Sequence, residues 1–75
     1  MPNTYTLNCI DLVCPLPVAK TKRKLSEMKS GEILEVFGDF GESGENIFIF
    51  CKSQGYTILE SQIERDNYFI KIKKP

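Results

Sequence analysis

At 75 residues the chain has room for one small domain around one modest core, so its stability is expected to be marginal. Its apolar content of 41% is that of a globular chain, and no apolar run approaches the ~20 residues of a membrane span. Ten basic and ten acidic residues give a net charge of zero, which argues against direct, general binding of nucleic acid.

Three cysteines and no histidine limit the chemistry further. An odd count speaks against a disulfide scaffold. A structural zinc site wants four ligands in paired spacings, so no metal or other cofactor is expected. Cys-His and Ser-His-Asp catalysis are excluded within one chain. Met1 to Asn8 shows neither a basic stretch nor an apolar stretch of secretory type, and the protein reads as cytoplasmic.

In chain order, Thr4 to Leu7 alternates and is rich in β formers, which predicts a first strand. Residues 8–13 connect it to Cys14-Pro15-Leu16-Pro17. A proline suits the first position of a helix, because its φ is already right and its missing N–H would have no partner there. The residue before a proline is pushed into the extended conformation that an N-cap needs. Cys14 is therefore expected as the N-cap of a helix running from Pro15 to about Lys29, with Val18, Leu25 and Met28 near one face and Lys20, Lys22, Arg23 and Lys24 largely on the other. Gly31 is the expected stop.

Glu32 to Phe37 predicts a second strand, and Gly38 to Gly44 a loop of glycine and acidic residues. Glu45 to Gln54 is ambiguous, because Ile47-Phe48-Ile49-Phe50-Cys51 has strong β propensity and no clean helical period. Gly55 ends it either way. Tyr56 to Ile63 and Tyr68 to Ile72 both alternate, with Arg65-Asp66-Asn67 between them, and predict a hairpin. With a helix at 45–54 the order is β-α-β-α-β-β, an α+β two-layer sandwich in which two helices cover one face of a four-stranded mixed sheet. That arrangement gives Phe48 and Phe50 a core to enter. The chain reads as a single domain over 1–75 and as a monomer.

A thiol at the partially positive end of a helix ionises more easily than the ordinary value of roughly 8.5 allows. The dipole contributes about 0.3–2 kcal/mol, equivalent to a few tenths of a pKa unit up to about 1.5. Pro15 and Pro17 remove two early N–H groups, so this helix start is stiffened to present a sulfur and is poorly built to cradle phosphate. The competing reading is a small buried apolar residue at an ordinary helix start. Cys9 reads as a buried strand residue or as a resolving thiol for Cys14, and Cys51 as core. The face carrying Lys20, Arg23 and Lys24 is solvated surface or a docking site for an acidic partner.

Leu7-Asn8-Cys9-Ile10-Asp11-Leu12-Val13-Cys14-Pro15-Leu16-Pro17 resembles the opening signature of the TusA/SirA-like sulfur-carrier family, whose hallmark is Cys-Pro-x-Pro. The likeness continues through Gly31-Glu32-Ile33-Leu34-Glu35-Val36, Asp39, Ile47, Phe50-Cys51, Gly55 and Phe69-Ile70-Lys71-Ile72-Lys73. The resemblance implies the β-α-β-α-β-β sandwich, and so a helix at 45–54. It also implies that Cys14 carries sulfane sulfur as a persulfide. Its donor would be a cysteine desulfurase or a rhodanese-type protein, and its recipient a downstream acceptor protein.

Branches of the family serve tRNA thiolation, sulfur oxidation, molybdenum-cofactor and selenium-related pathways. Cys9 beside Asn8 is most similar to the YedF-like branch. Asn8 stands where the family usually has Asp, Asp11 where it usually has Gly, and Phe40 where the loop has a second acidic residue. Two other functions remain open on the residues alone: a non-catalytic binding or regulatory module, and a Cys9–Cys14 redox switch.

Overall fold

The computed structural model describes residues 3–12 and 16–75. The element order is β1 (Thr4–Cys9), α1 (Leu16–Glu27), β2 (Ile33–Gly38), α2 (Gly41–Gln54), β3 (Thr57–Ile63) and β4 (Tyr68–Lys73). The strands form one mixed sheet in the order β1-β2-β4-β3. β1 runs parallel to β2, as the α1 crossover requires, and β4 runs antiparallel to both β2 and β3. Both helices pack on one face, and the expected α+β sandwich is what the chain forms.

Strand alternation sets the core in rows across the sheet. Tyr5, Leu34, Ile72 and Ile58 are register partners in one row. Leu7, Val36 and Ile70 form the next, and Cys9, Gly38, Tyr68 and Ile63 the last. Leu34, Val36, Ile70 and Ile72 are fully buried, and Leu25, Ile47 and Cys51 cover them from the helices, with Met28 from just past α1. The opposite face carries Glu35, Lys71 and Glu60 in register, so charges of alternating sign solvate it.

α1 buries Pro17, Thr21 and Leu25 at helical spacing, with Met28 just beyond its end, while Val18 is only half-buried. Its last carbonyls are closed from the far end of the chain. The Lys74 ammonium donates to the Leu25 and Met28 carbonyl oxygens at 2.6 and 2.7 Å. Beside it, Glu32 accepts from the Lys29 N–H at 2.6 Å and from the Tyr5 hydroxyl at 3.2 Å.

The helical alternative is correct for the ambiguous segment, but the expected loop over Gly38–Gly44 is not. β2 keeps Gly38, and α2 begins already at Gly41. The first half of α2 buries Gly41, Ser43 and Gly44, residues too small to register as an apolar stripe. Their smallness is what the packing requires. A Cβ on Gly44 would come within 2.6 Å of the Tyr68 ring, and Gly41 lies against the Glu64 backbone while donating its N–H to the Arg65 carbonyl at 3.3 Å. Ile47 and Cys51 enter the core, whereas Phe48 and Phe50 stop half-buried.

Gly55 closes α2 at φ +82, with the Gly55 N–H on the Lys52 carbonyl and the Tyr56 N–H on the Cys51 carbonyl. That double bond pattern is the Schellman motif.

Candidate functional site

Parallel pairing brings the ends of β1 and β2 to one edge of the molecule, and α1 starts from that edge. Cys14 and Pro15, expected as N-cap and first helical residue, lie outside the described residues. What is described is the turn that leads to them and the helix that follows. α1 opens at Leu16 with no acidic residue in its first turn, so nothing there cancels the positive end of its dipole.

The lead-in turn is fully hydrogen-bonded. The Ile10 N–H donates to the Asn8 side-chain oxygen at 2.9 Å, an Asx turn. The Leu12 N–H donates to the Cys9 carbonyl at 3.2 Å and closes a β-turn over residues 9–12. Its third residue, Asp11, has φ +66, in the left-handed region that a type II turn demands at that place. The Asp11 N–H donates to both oxygens of Asp39, each at 3.1 Å. No backbone N–H from Ile10 to Leu12 is left open.

The left-handed φ explains why glycine suits this position in proteins with the same opening signature. Asp11 occupies it because a short polar side chain tolerates that conformation better than most.

Beneath the turn lies the row Cys9–Gly38–Tyr68. The Tyr68 ring crosses Gly38, where a Cβ would meet the phenol oxygen at 2.5 Å, and is backed by Gly44. Only 2% of Tyr68 is exposed, and its hydroxyl has no hydrogen-bond partner of acceptable geometry among the described residues. The Cys9 thiol lies close beside it. Burial first, then the nearby Cys9 and the Asp39 carboxylate, hold the phenol well above its ordinary pKa, so it stays protonated.

Cys9 is wholly buried. Burial pushes its thiol up, against the smaller lowering effects of Tyr68 and Lys20. Cys51 is also wholly buried, and burial pushes its thiol up to about 12. Neither sulfur is suited to act as a thiolate near neutral pH.

The cationic residues of α1 border a shallow groove of about 310 Å³ lined by Leu7, Lys20, Arg23, Lys24 and Glu27. They are not equivalent. Arg23 faces Glu27 at 3.5 Å in an exposed pair, which contributes little. The Lys24 ammonium sits 4.3 Å from the centre of the Tyr5 ring. Lys20 is exposed and is the cation whose field reaches Cys9.

Ile10, Leu16 and Phe40 stay largely exposed on the same edge, which therefore carries apolar surface. Asp39 and Tyr68 have no part in the site as read from sequence. The glycines that shape the Tyr68 slot were visible, but nothing in their spacing tied them to a residue more than twenty positions away.

Comparison with known proteins adds a consistent set of relatives. The family described as "Sulfurtransferase TusA" matches residues 5–74. Three relatives share the name "Putative sulfur carrier protein". One, from Methanocaldococcus jannaschii, is 44% identical over 62 residues, 83% of each chain. One from Thermotoga maritima is 47% identical over 57 residues, 76% of this chain and 72% of the relative. The YedF protein of Escherichia coli is 38% identical over 58 residues, 77% of this chain and 75% of its own. The crystal structure of a SirA-like protein from Desulfitobacterium hafniense superposes with a TM-score of 0.79 at 25% identity, covering 92% of this chain and 95% of that one.

Proposed function

The chain belongs to the TusA family, and from that premise we propose that it relays sulfane sulfur as a persulfide on Cys14. The Cys14 thiolate attacks the outer sulfur of a donor persulfide. A new S–S bond forms at Cys14, the donor's S–S bond breaks, and the donor cysteine leaves as thiolate. The same exchange, run against an acceptor protein, delivers the sulfur onward. The donor class is a cysteine desulfurase or a rhodanese-type protein.

The observation that carries this reading is the division of labour among the cysteines. Cys9 and Cys51 are buried with raised thiol pKa values, which leaves the sulfur chemistry of a TusA-family chain to Cys14. Supporting it, Cys14 follows a turn whose backbone donors are all satisfied and precedes a helix start with no acid in its first turn. A Cys9–Cys14 redox switch would need Cys9 as a reactive partner, and its burial disfavours that.

Lys20, Arg23 and Lys24 are the proposed contact for an acidic patch on the donor, with Lys20 in neither the Glu27 pair nor the Tyr5 contact. Cyanolysis tests the relay. After incubation with a desulfurase and cysteine, the wild type and the Cys9→Ser and Cys51→Ser variants should release thiocyanate on treatment with cyanide. Cys14→Ser should release none. Equal release from Cys14→Ser would remove the proposal.

A further inference from the structure

Resting on the reading of Cys14 as the sulfur-bearing residue, we propose that Asp39 is a positioning residue, whose carboxylate grips the backbone of the 9–12 turn and fixes where the Cys14 segment leaves the sheet. Of the hydrogen bonds that hold this turn, two are local: Asn8 to Ile10 and Cys9 to Leu12. Both lie within the β1 end and the turn itself, and set its shape without reaching another element. The bond from Asp39 to the Asp11 N–H reaches across 28 positions from another element. It ties the turn to the rest of the fold, at the residue held in a left-handed conformation. A non-glycine residue persists there when its surroundings over-determine it, and such outliers cluster where geometry serves function.

The anchor itself is stiff. Asp39 is one residue past Gly38, which pairs with both Cys9 and Tyr68. One residue later, Phe40 caps α2 with its carbonyl accepting the Ser43 and Gly44 N–H groups. Asp39 is thus held between a central strand and a helix start. Both of its oxygens lie at equal distance from a single N–H, a charge-assisted contact. The bond is exposed to solvent, so its loss should register in the placement of Cys14 more than in stability.

The test compares Asp39→Ala with Asp39→Asn, which keeps an acceptor oxygen and loses the charge. The readouts are the rate of sulfur loading from a desulfurase, the pH profile of Cys14 alkylation by iodoacetamide in a Cys9→Ser/Cys51→Ser background, and amide hydrogen exchange at Asp11. Asp39→Ala should slow loading by about tenfold, raise the midpoint of the alkylation profile and speed exchange at Asp11, while Asp39→Asn keeps most of the loading rate.

If both variants shift the alkylation midpoint downward by the same amount, Asp39 acts only as a nearby charge and the proposal is wrong. If Asp39→Ala lowers Tm but leaves loading and the alkylation profile unchanged in the folded protein, the role is merely structural and the proposal is again wrong. Should the wild type accept no sulfur, the relay reading fails, while alkylation and amide exchange still decide the clamp.

Discussion

Among the described residues, Asp11 carries the clearest local strain. Holding a residue with a Cβ in the left-handed region costs roughly 1–2 kcal/mol, less for Asp, whose short side chain tolerates it. Glycine removes that cost but loses about 0.5–1 kcal/mol of backbone entropy on folding. Asp11→Gly is therefore expected to change stability by less than about 1 kcal/mol and to keep the turn, since the Asp39 bond is to the backbone. A β-branched residue at position 11 should destabilise clearly, because it tolerates positive φ far less well. Urea unfolding of Asp11→Gly and Asp11→Val checks this; equal stability of the two would mean that the φ of +66 is not maintained in solution.

The Cys-Pro-x-Pro signature and the non-glycine at 11 were readable from the residues alone. The Asp39 contact was not, because a hydrogen bond from a side chain to a distant N–H leaves no periodicity behind.

Among the elements, α2 shows best where pattern reading stops. Its second half is helical by Ile47 and Cys51, but the strong β formers around them hide the period. Its first half looks like a loop because its buried residues are Gly41, Ser43 and Gly44. What selects glycine at 44 is the Tyr68 ring arriving from β4, a contact that only the folded topology supplies. Gly44→Ala would gain up to about 1 kcal/mol of helix propensity. The new methyl would sit within 2.6 Å of Tyr68, and overpacking of this kind costs about 1–3 kcal/mol. The overpacking should win, giving a lower unfolding midpoint in urea; an unchanged or raised midpoint would show that the helix and Tyr68 can separate freely. By contrast β1, α1, β2 and the hairpin were legible, since each shows its own period or turn residues.

The link between α1 and β2 carries a pH signature. The Lys29 N–H first, and then the hydroxyl of Tyr5, favour the ionised carboxylate and hold the Glu32 pKa below its ordinary value. A lowered folded pKa means stability fully present above the unfolded value of about 4.3 and lost as pH falls through the folded one. The urea midpoint should therefore decline as the medium is acidified below roughly pH 5, and Glu32→Gln should weaken that decline. A Glu32→Gln profile parallel to wild type over the acid range would show that this carboxylate contributes no pH dependence.

At the scale of the whole molecule, the two ends of the sheet do different work. At one end Glu32, Gly31 and Lys74 stitch the chain just past β4 to the exit from α1, closing the fold. At the other, the strand ends of β1 and β2 hold the turn that leads to Cys14, with Ile10, Leu16 and Phe40 exposed beside it, while the cationic groove runs along α1 between the two ends. The neutral total charge conceals this arrangement, because the cations of α1 and the acids near the start of α2 cancel only in the sum.

Sulfur transfer in this account needs one accessible sulfur, and the fold withdraws Cys9 and Cys51 from that task by burying them. Peptide-level mass spectrometry after incubation with a cysteine desulfurase and cysteine tests this most directly. The account predicts an adduct of about 32 Da on the peptide bearing Cys14 and none in Cys14→Ser. An adduct on Cys9 or Cys51 with Cys14 unmodified, or no adduct from any persulfide donor, would contradict it.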